Sequence, residues 1–219
     1  MSEVADRIRA ELRAAADPSR AAGAQAYMKS AMPFLGVRVP EARAIAKRET
    51  KGQTDAAALR DLALELWDEA SHREERYAAL AVLAAPPLKA DPAIVPIIEH
   101  VVRTGQWWDF TDELAHRIVD LLEADPLPAA ALVRGWSVDP DFWIRRVAII
   151  AQLGRRERTD PVLLADVIEP NLGDSEFFIR KAIGWALRDY ARTAPDWVRD
   201  YVAAHPMSGL SRREALKHL

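Results

Sequence analysis

The segment Asp139-Pro-Asp-Phe-Trp-Ile-Arg-Arg-Val147 matches Asp174-Ser-Glu-Phe-Phe-Ile-Arg-Lys-Ala182 position by position, 35 residues downstream. Stepping back 35 from Phe142-Trp143 lands on Trp107-Trp108, so aromatic pairs at 107/108, 142/143 and 177/178 share one period. A weaker echo, His72-Arg73-Glu-Glu-Arg76, lies one period earlier still. Each pair opens a run with apolar residues at helical spacing, and a period of this length built from paired helices predicts repeat units stacked on one another. The pattern predicts an all-α fold, a HEAT-like α-solenoid of stacked helix pairs whose second helices line a concave cleft.

Punctuation along the chain agrees. Asp17-Pro18, Thr54-Asp55, Asp91-Pro92, Asp139-Pro140, Asp160-Pro161, Asp174-Ser175 and Ala194-Pro195 each supply a cap residue or a first-turn proline ahead of an apolar-periodic run. About twelve helices follow from this spacing, with no strand pattern. No low-complexity linker divides the chain, so a single domain over 1–219 is expected.

Composition narrows the chemistry. Half of the 219 residues are apolar, 29% are charged, the formal net charge is −3 and cysteine is absent. A thiolate nucleophile, Cys-ligated zinc and a disulfide framework are therefore excluded. The absence of cysteine suits a reducing compartment, the charged N-terminal stretch carries no secretory signal, and a cytoplasmic location is expected. The apolar stretch 78–88 is too short to span a membrane and is broken by Pro86-Pro87. The charge is uneven. Residues 1–50 carry nine basic and six acidic groups, 51–100 five and nine, 101–150 five and eight, and 151–219 eleven and ten. Of the 30 cations 24 are Arg, which suits forked phosphate contacts and equally follows from a GC-rich coding bias.

Superposing the repeats exposes the positions that depart from a packing norm. Asp112 aligns with the apolar Val147 and Ala182, Trp185 with Ile150 and Ala115, Arg146 with Thr111 and Lys181, and Trp108 with Trp143 and Phe178. In one helix frame these four fall at i, i+3, i+4 and i+7, a single face. Three neighbouring helices are thus expected to present Trp108, Asp112, Arg146 and Trp185 to a common strip. The plainer account makes both Trp core residues and the ionic groups one inter-repeat salt bridge. The five His share no metal-ligand spacing, and no Gly-rich phosphate loop or nucleophile elbow is present. Asp109, Asp112, Glu113, Asp120 and Glu123 spread over about four turns of one helix, too far to close on one ion. No metal or cofactor is expected. What remains is a carboxylate, a guanidinium and aromatic faces, a set able to stabilise positive charge, hold phosphate and orient water.

Trp107-Trp-Asp-Phe-Thr-Asp112, Phe142-Trp-Ile-Arg-Arg-Val-Ala-Ile-Ile-Ala-Gln-Leu153 and Glu176-Phe-Phe-Ile-Arg-Lys-Ala-Ile-Gly-Trp-Ala-Leu-Arg-Asp-Tyr190 closely resemble the AlkD family of bacterial DNA alkylation-repair glycosylases. The tail Leu210-Ser-Arg-Arg-Glu-Ala-Leu-Lys-His218 and the N-terminal Tyr27-Met-Lys and Phe34-Leu-Gly fit as well, and the match is weakest over 50–90. The resemblance implies excision of cationic N3- or N7-alkylated purines from duplex DNA, with Asp112, Trp108, Trp185 and Arg146 as the catalytic set and Tyr27 as a further cleft aromatic. It implies that Asp112 stabilises an oxocarbenium-like sugar and positions water while Arg146 holds a phosphate and orients Asp112. DNA contacts are expected from Arg145, Arg180, Lys181, Arg188, Arg212, Arg213 and Lys217, in a protein acting as a monomer without a membrane. The alternative is a non-catalytic HEAT-repeat scaffold binding DNA structures or a protein partner.

Overall fold

Thirteen α-helices and four 3-10 turns account for the regular structure of the computed structural model, which describes residues 2–219; no strand occurs among them. The helices are α1 Glu3–Ala14, α2 Pro18–Met28, α3 Val39–Glu49, α4 Ala56–Asp68, α5 Arg73–Leu83, α6 Val95–Gly105, α7 Trp108–Ala124, α8 Pro126–Trp136, α9 Phe142–Ile149, α10 Pro161–Ile168, α11 Phe177–Tyr190, α12 Pro195–Ala204 and α13 Gly209–Ala215. The chain divides into two compact units, Met1–Ile97 and Ile98–Leu219.

In the first unit α5 packs against α1, α3 and α4. Its run Tyr77–Leu83 is buried throughout, which explains the apolar stretch seen in the sequence: a helix apolar all round is an interior helix. Two charged residues at its start tie down the chain after α2. The fully buried Glu74 carboxylate accepts the backbone N–H groups of Leu35 at 2.9 Å, Gly36 at 2.8 Å and Val37 at 3.2 Å. Arg73 donates to Ser30 Oγ and to the Tyr77 hydroxyl and lies over the Phe34 ring. Gly36 has φ +85°, and a Cβ there would stand 2.1 Å from the Asp17 carbonyl oxygen. The Phe34-Leu-Gly motif is therefore a folding requirement at that crossing.

In the second unit the helices opened by the aromatic pairs pack in series, α7 on α9 and α9 on α11, while α8 packs on α10. This is HEAT-like stacking of helix pairs, as the 35-residue period predicts. Part of the repeat is polar. Asp139 and Asp174 each accept the N–H two residues on, and each binds an Arg from an earlier repeat, Arg103 and Arg145. Arg145 donates to the Asp139 carbonyl and Arg180 to the Asp174 carbonyl, so the sequence period is also a hydrogen-bond period. The caps follow the expected residues at Asp17, Asp55, Asp91 and Asp160. Before α9 and α11 the cap moves two residues on, to Asp141 and Glu176, because Asp139 and Asp174 are engaged in these inter-repeat ties.

Candidate active site

Asp112 sits in the second turn of α7, at the register where α9 and α11 carry Val147 and Ala182, both fully buried. Its side chain keeps 17% of its surface accessible. Arg146 of α9 meets it with two nitrogens, Nε to Oδ1 at 2.8 Å and Nη2 to Oδ2 at 2.9 Å, and donates from Nη1 to the Phe178 carbonyl of α11 at 2.7 Å. One guanidinium thus joins three successive repeats. Such a fork fixes both position and orientation of the carboxylate. Burial raises the Asp112 pKa above the ordinary carboxylate value, opposed by Arg146 and by the Thr111 hydroxyl, with Asp109 adding a smaller upward push.

The aromatic residues divide into two sets. Trp107, Trp143 and Phe178 form a ring cluster with centroids 4.8–6.2 Å apart, extended by Phe142 and Phe177. The ring in this cluster is Trp107, whereas period counting equates Trp108 with Trp143 and Phe178. The cause is local. Gln106 takes a left-handed conformation, φ +41°, and Trp107 is extended, so α7 begins at Trp108 while α9 and α11 begin one register earlier, at Phe142 and Phe177. Trp107 takes the cluster position, and Trp108, half-buried like Trp107, is left outside it on the first turn of α7, one turn before Asp112. Trp185 is likewise half-buried, two turns along α11 from Phe178.

The expected DNA contacts separate by partner. Arg145 and Arg180 are committed to the repeat loops. Lys181 and Arg188 both bind Glu214, at 3.0 and 2.5 Å. Arg212 donates to the Val202 carbonyl. Arg213 and Lys217 are exposed. Arg146, only 6% of whose side chain is accessible, has each of its three nitrogens on a protein oxygen, the arrangement required for orienting Asp112. Tyr27 lies in the last turn of α2 in the first unit with 76% of its surface exposed. Sequence reasoning missed Glu74, whose partners are backbone N–H groups, and Glu214, which lies on α13 beyond the repeats. No group of three or more potential metal-ligating side chains comes together among the described residues, and no helix there is long and apolar enough to cross a membrane.

The model of the DNA alkylation repair enzyme family matches residues 8–219. The chain belongs to that family. A solved structure described as a predicted DNA alkylation repair enzyme from Enterococcus faecalis is 30% identical, superposes with a TM-score of 0.81, and matches over 93% of this chain and 96% of that one. Two structures from Streptococcus mutans share the fold at 19% identity. AlkD2 has a TM-score of 0.67 over 84% of this chain and 91% of its own, and smu.31 has 0.66 over 83% and 92%. No curated protein matches the sequence. Membership in the DNA alkylation repair enzyme family agrees with the resemblance drawn from the motifs at 107–112, 142–153 and 176–190.

Proposed function

We propose that the chain is a DNA glycosylase that hydrolyses the N-glycosidic bond of cationic N3- or N7-alkylated purines in duplex DNA. The observation that carries the reading is the Asp112–Arg146 fork. It places a partly accessible carboxylate where the neighbouring repeats bury an aliphatic side chain.

Alkylation gives the purine a positive charge, so the base departs neutral when the C1′–N bond breaks with its electron pair. No group need protonate it. The demanding species is the sugar, which becomes oxocarbenium-like as the bond stretches. An ionised Asp112 opposes that charge and directs water to C1′. Water forms the new C–O bond and gives up its proton to solvent, leaving free alkylpurine and an abasic sugar. Trp108 and Trp185 supply π-faces to the same cation. Arg146 holds Asp112 in place and biases it towards the charged form. Tyr27, Lys181, Arg188, Arg213 and Lys217 serve the duplex, chiefly through phosphate and sugar, since damage occurs in any sequence.

The test is single-turnover excision of 7-methylguanine from duplex DNA by the wild type and by Asp112→Asn. The expected loss is about 100-fold or more, on the scale of removing one preorganised transition-state partner. Wild-type rates in the variant would remove Asp112 from the chemistry. A wild type that binds duplex and excises nothing would instead favour a scaffold, in which the fork is only a packing device.

A further inference from the structure

Glu214 occupies an unusual place. It lies on α13, which packs on α11 more closely than ordinary side chains allow, through Gly184: a Cβ there would be 2.4 Å from Glu214 Cβ and 2.9 Å from the Ser211 carbonyl oxygen. Ser211 Oγ donates to the Arg180 carbonyl at 3.0 Å, fixing the same contact from the other side. Glu214 is therefore a carboxylate held by backbone packing, with 19% of its side chain accessible. It reaches Lys181 with one oxygen and Arg188 with the other. Lys181, Gly184, Trp185 and Arg188 stand at i, i+3, i+4 and i+7 of α11, so the two cations share a helix face with the indole assigned to the site. Lys181 also holds the register of Arg146 in the following repeat.

We propose that Glu214 is a specificity-determining residue, a built-in counter-ion that holds down the affinity of the α11 face for undamaged duplex by neutralising one of its two cations. The proposal rests on the glycosylase reading only in taking duplex DNA as the ligand. Two cations against one fixed carboxylate leave a single net positive charge beside Trp185, where Glu214 absent there would be two. The pull of Lys181 and then Arg188 also keeps the Glu214 pKa below the usual carboxylate value, so the counter-ion stays charged at neutral pH. The benefit follows from competition. A repair protein meets undamaged duplex in vast excess, and every phosphate contact made without a lesion slows the search. Restraining the general electrostatic attraction leaves discrimination to contacts that only the damaged nucleotide offers.

The experiment is equilibrium binding of undamaged duplex, read by fluorescence anisotropy over a range of salt, for the wild type and Glu214→Gln. One additional phosphate neutralised corresponds to about eightfold tighter binding at ~0.1 M salt and to a log–log slope steeper by about 0.9. That is the expected result, with single-turnover excision of a saturated lesion duplex unchanged. Equal affinity and slope in the two proteins would overturn the proposal, as would a wild type that does not bind duplex. If Glu214→Gln fails to fold by circular dichroism, Arg188→Gln takes its place. It leaves Lys181 and Glu214 as a neutral pair, so binding should weaken about eightfold, and unchanged binding overturns the proposal again. Excision by the wild type is scored separately. A Glu214 effect without excision removes the glycosylase reading and keeps the counter-ion; excision without a Glu214 effect does the reverse.

Discussion

At the scale of single residues, the Asp112–Arg146 fork sets two opposing demands on one carboxyl group. Burial makes its charged form costly, and the guanidinium makes it affordable. Because the folded-state pKa lies above the ordinary value, the active anion is lost as pH falls through that raised pKa. The acid limb of the excision profile should accordingly sit at higher pH than an unperturbed aspartate would place it. Arg146→Met removes the main force lowering the pKa, so the limb should move further up, and excision at neutral pH should fall at least tenfold. The same variant leaves a largely buried carboxylate without its partner and should cost roughly 3 kcal/mol of stability, measurable by urea denaturation. A pH–rate profile unchanged in Arg146→Met would show that Asp112 takes its ionisation from elsewhere. For Trp185→Ala the expectation is a split: slower excision with a smaller loss of affinity for undamaged duplex. Equal losses in both measurements would assign the indole to packing.

At the scale of helices, much of the second unit is legible in the sequence. The 35-residue period places α7, α9 and α11 side by side, and the departure of Asp112 from its apolar equivalents marks the ion pair to Arg146. Period counting fails at Trp107 and Trp108 because a helix start slips by one residue, and that slip depends on the left-handed Gln106 rather than on any apolar pattern. For Arg145 and Arg180 the period holds but does not name their partners, since each donates to a repeat-loop carbonyl, to which every residue contributes alike, and Arg145 also binds the Asp174 carboxylate. Glu214 was hidden for another reason: α13 lies beyond the repeats, and its register is set by Gly184. Gly184→Ala inserts a methyl into that contact against backbone and should destabilise the fold by about 1–3 kcal/mol. Hydrogen exchange should show the loosening first in α13 and at the facing turn of α11. Undiminished stability would mean that α13 can shift at no cost.

At the scale of the whole molecule, net charge −3 describes neither face of the chemistry. The carboxylates are largely committed to internal partners: Glu74 to backbone N–H groups, Glu75 to Arg9 and Arg13, Asp139 to Arg103, Asp174 to Arg145 and Glu214 to two cations. Duplex binding depends on the local cations at the interface rather than on the total, so it should weaken steeply with salt in spite of the acidic sum, with a slope reporting the phosphates neutralised. Salt-independent binding would contradict a phosphate-based interface. Excision should also persist in EDTA, since the proposed chemistry runs through a carboxylate; loss of activity restored by a divalent cation would point to hydrolysis of another kind. The cluster of Trp107, Trp143 and Phe178 has an optical consequence. Two indoles with ring centroids 6.2 Å apart and planes inclined at 48° are close enough for their transition dipoles to couple. Their near-ultraviolet circular dichroism should report repeat packing directly and disappear when that packing melts. On the glycosylase reading, the emission of Trp108 and Trp185, which lie outside the cluster, should respond to duplex instead. Without a label, one chromophore set should report folding and, on the glycosylase reading, another should report duplex binding.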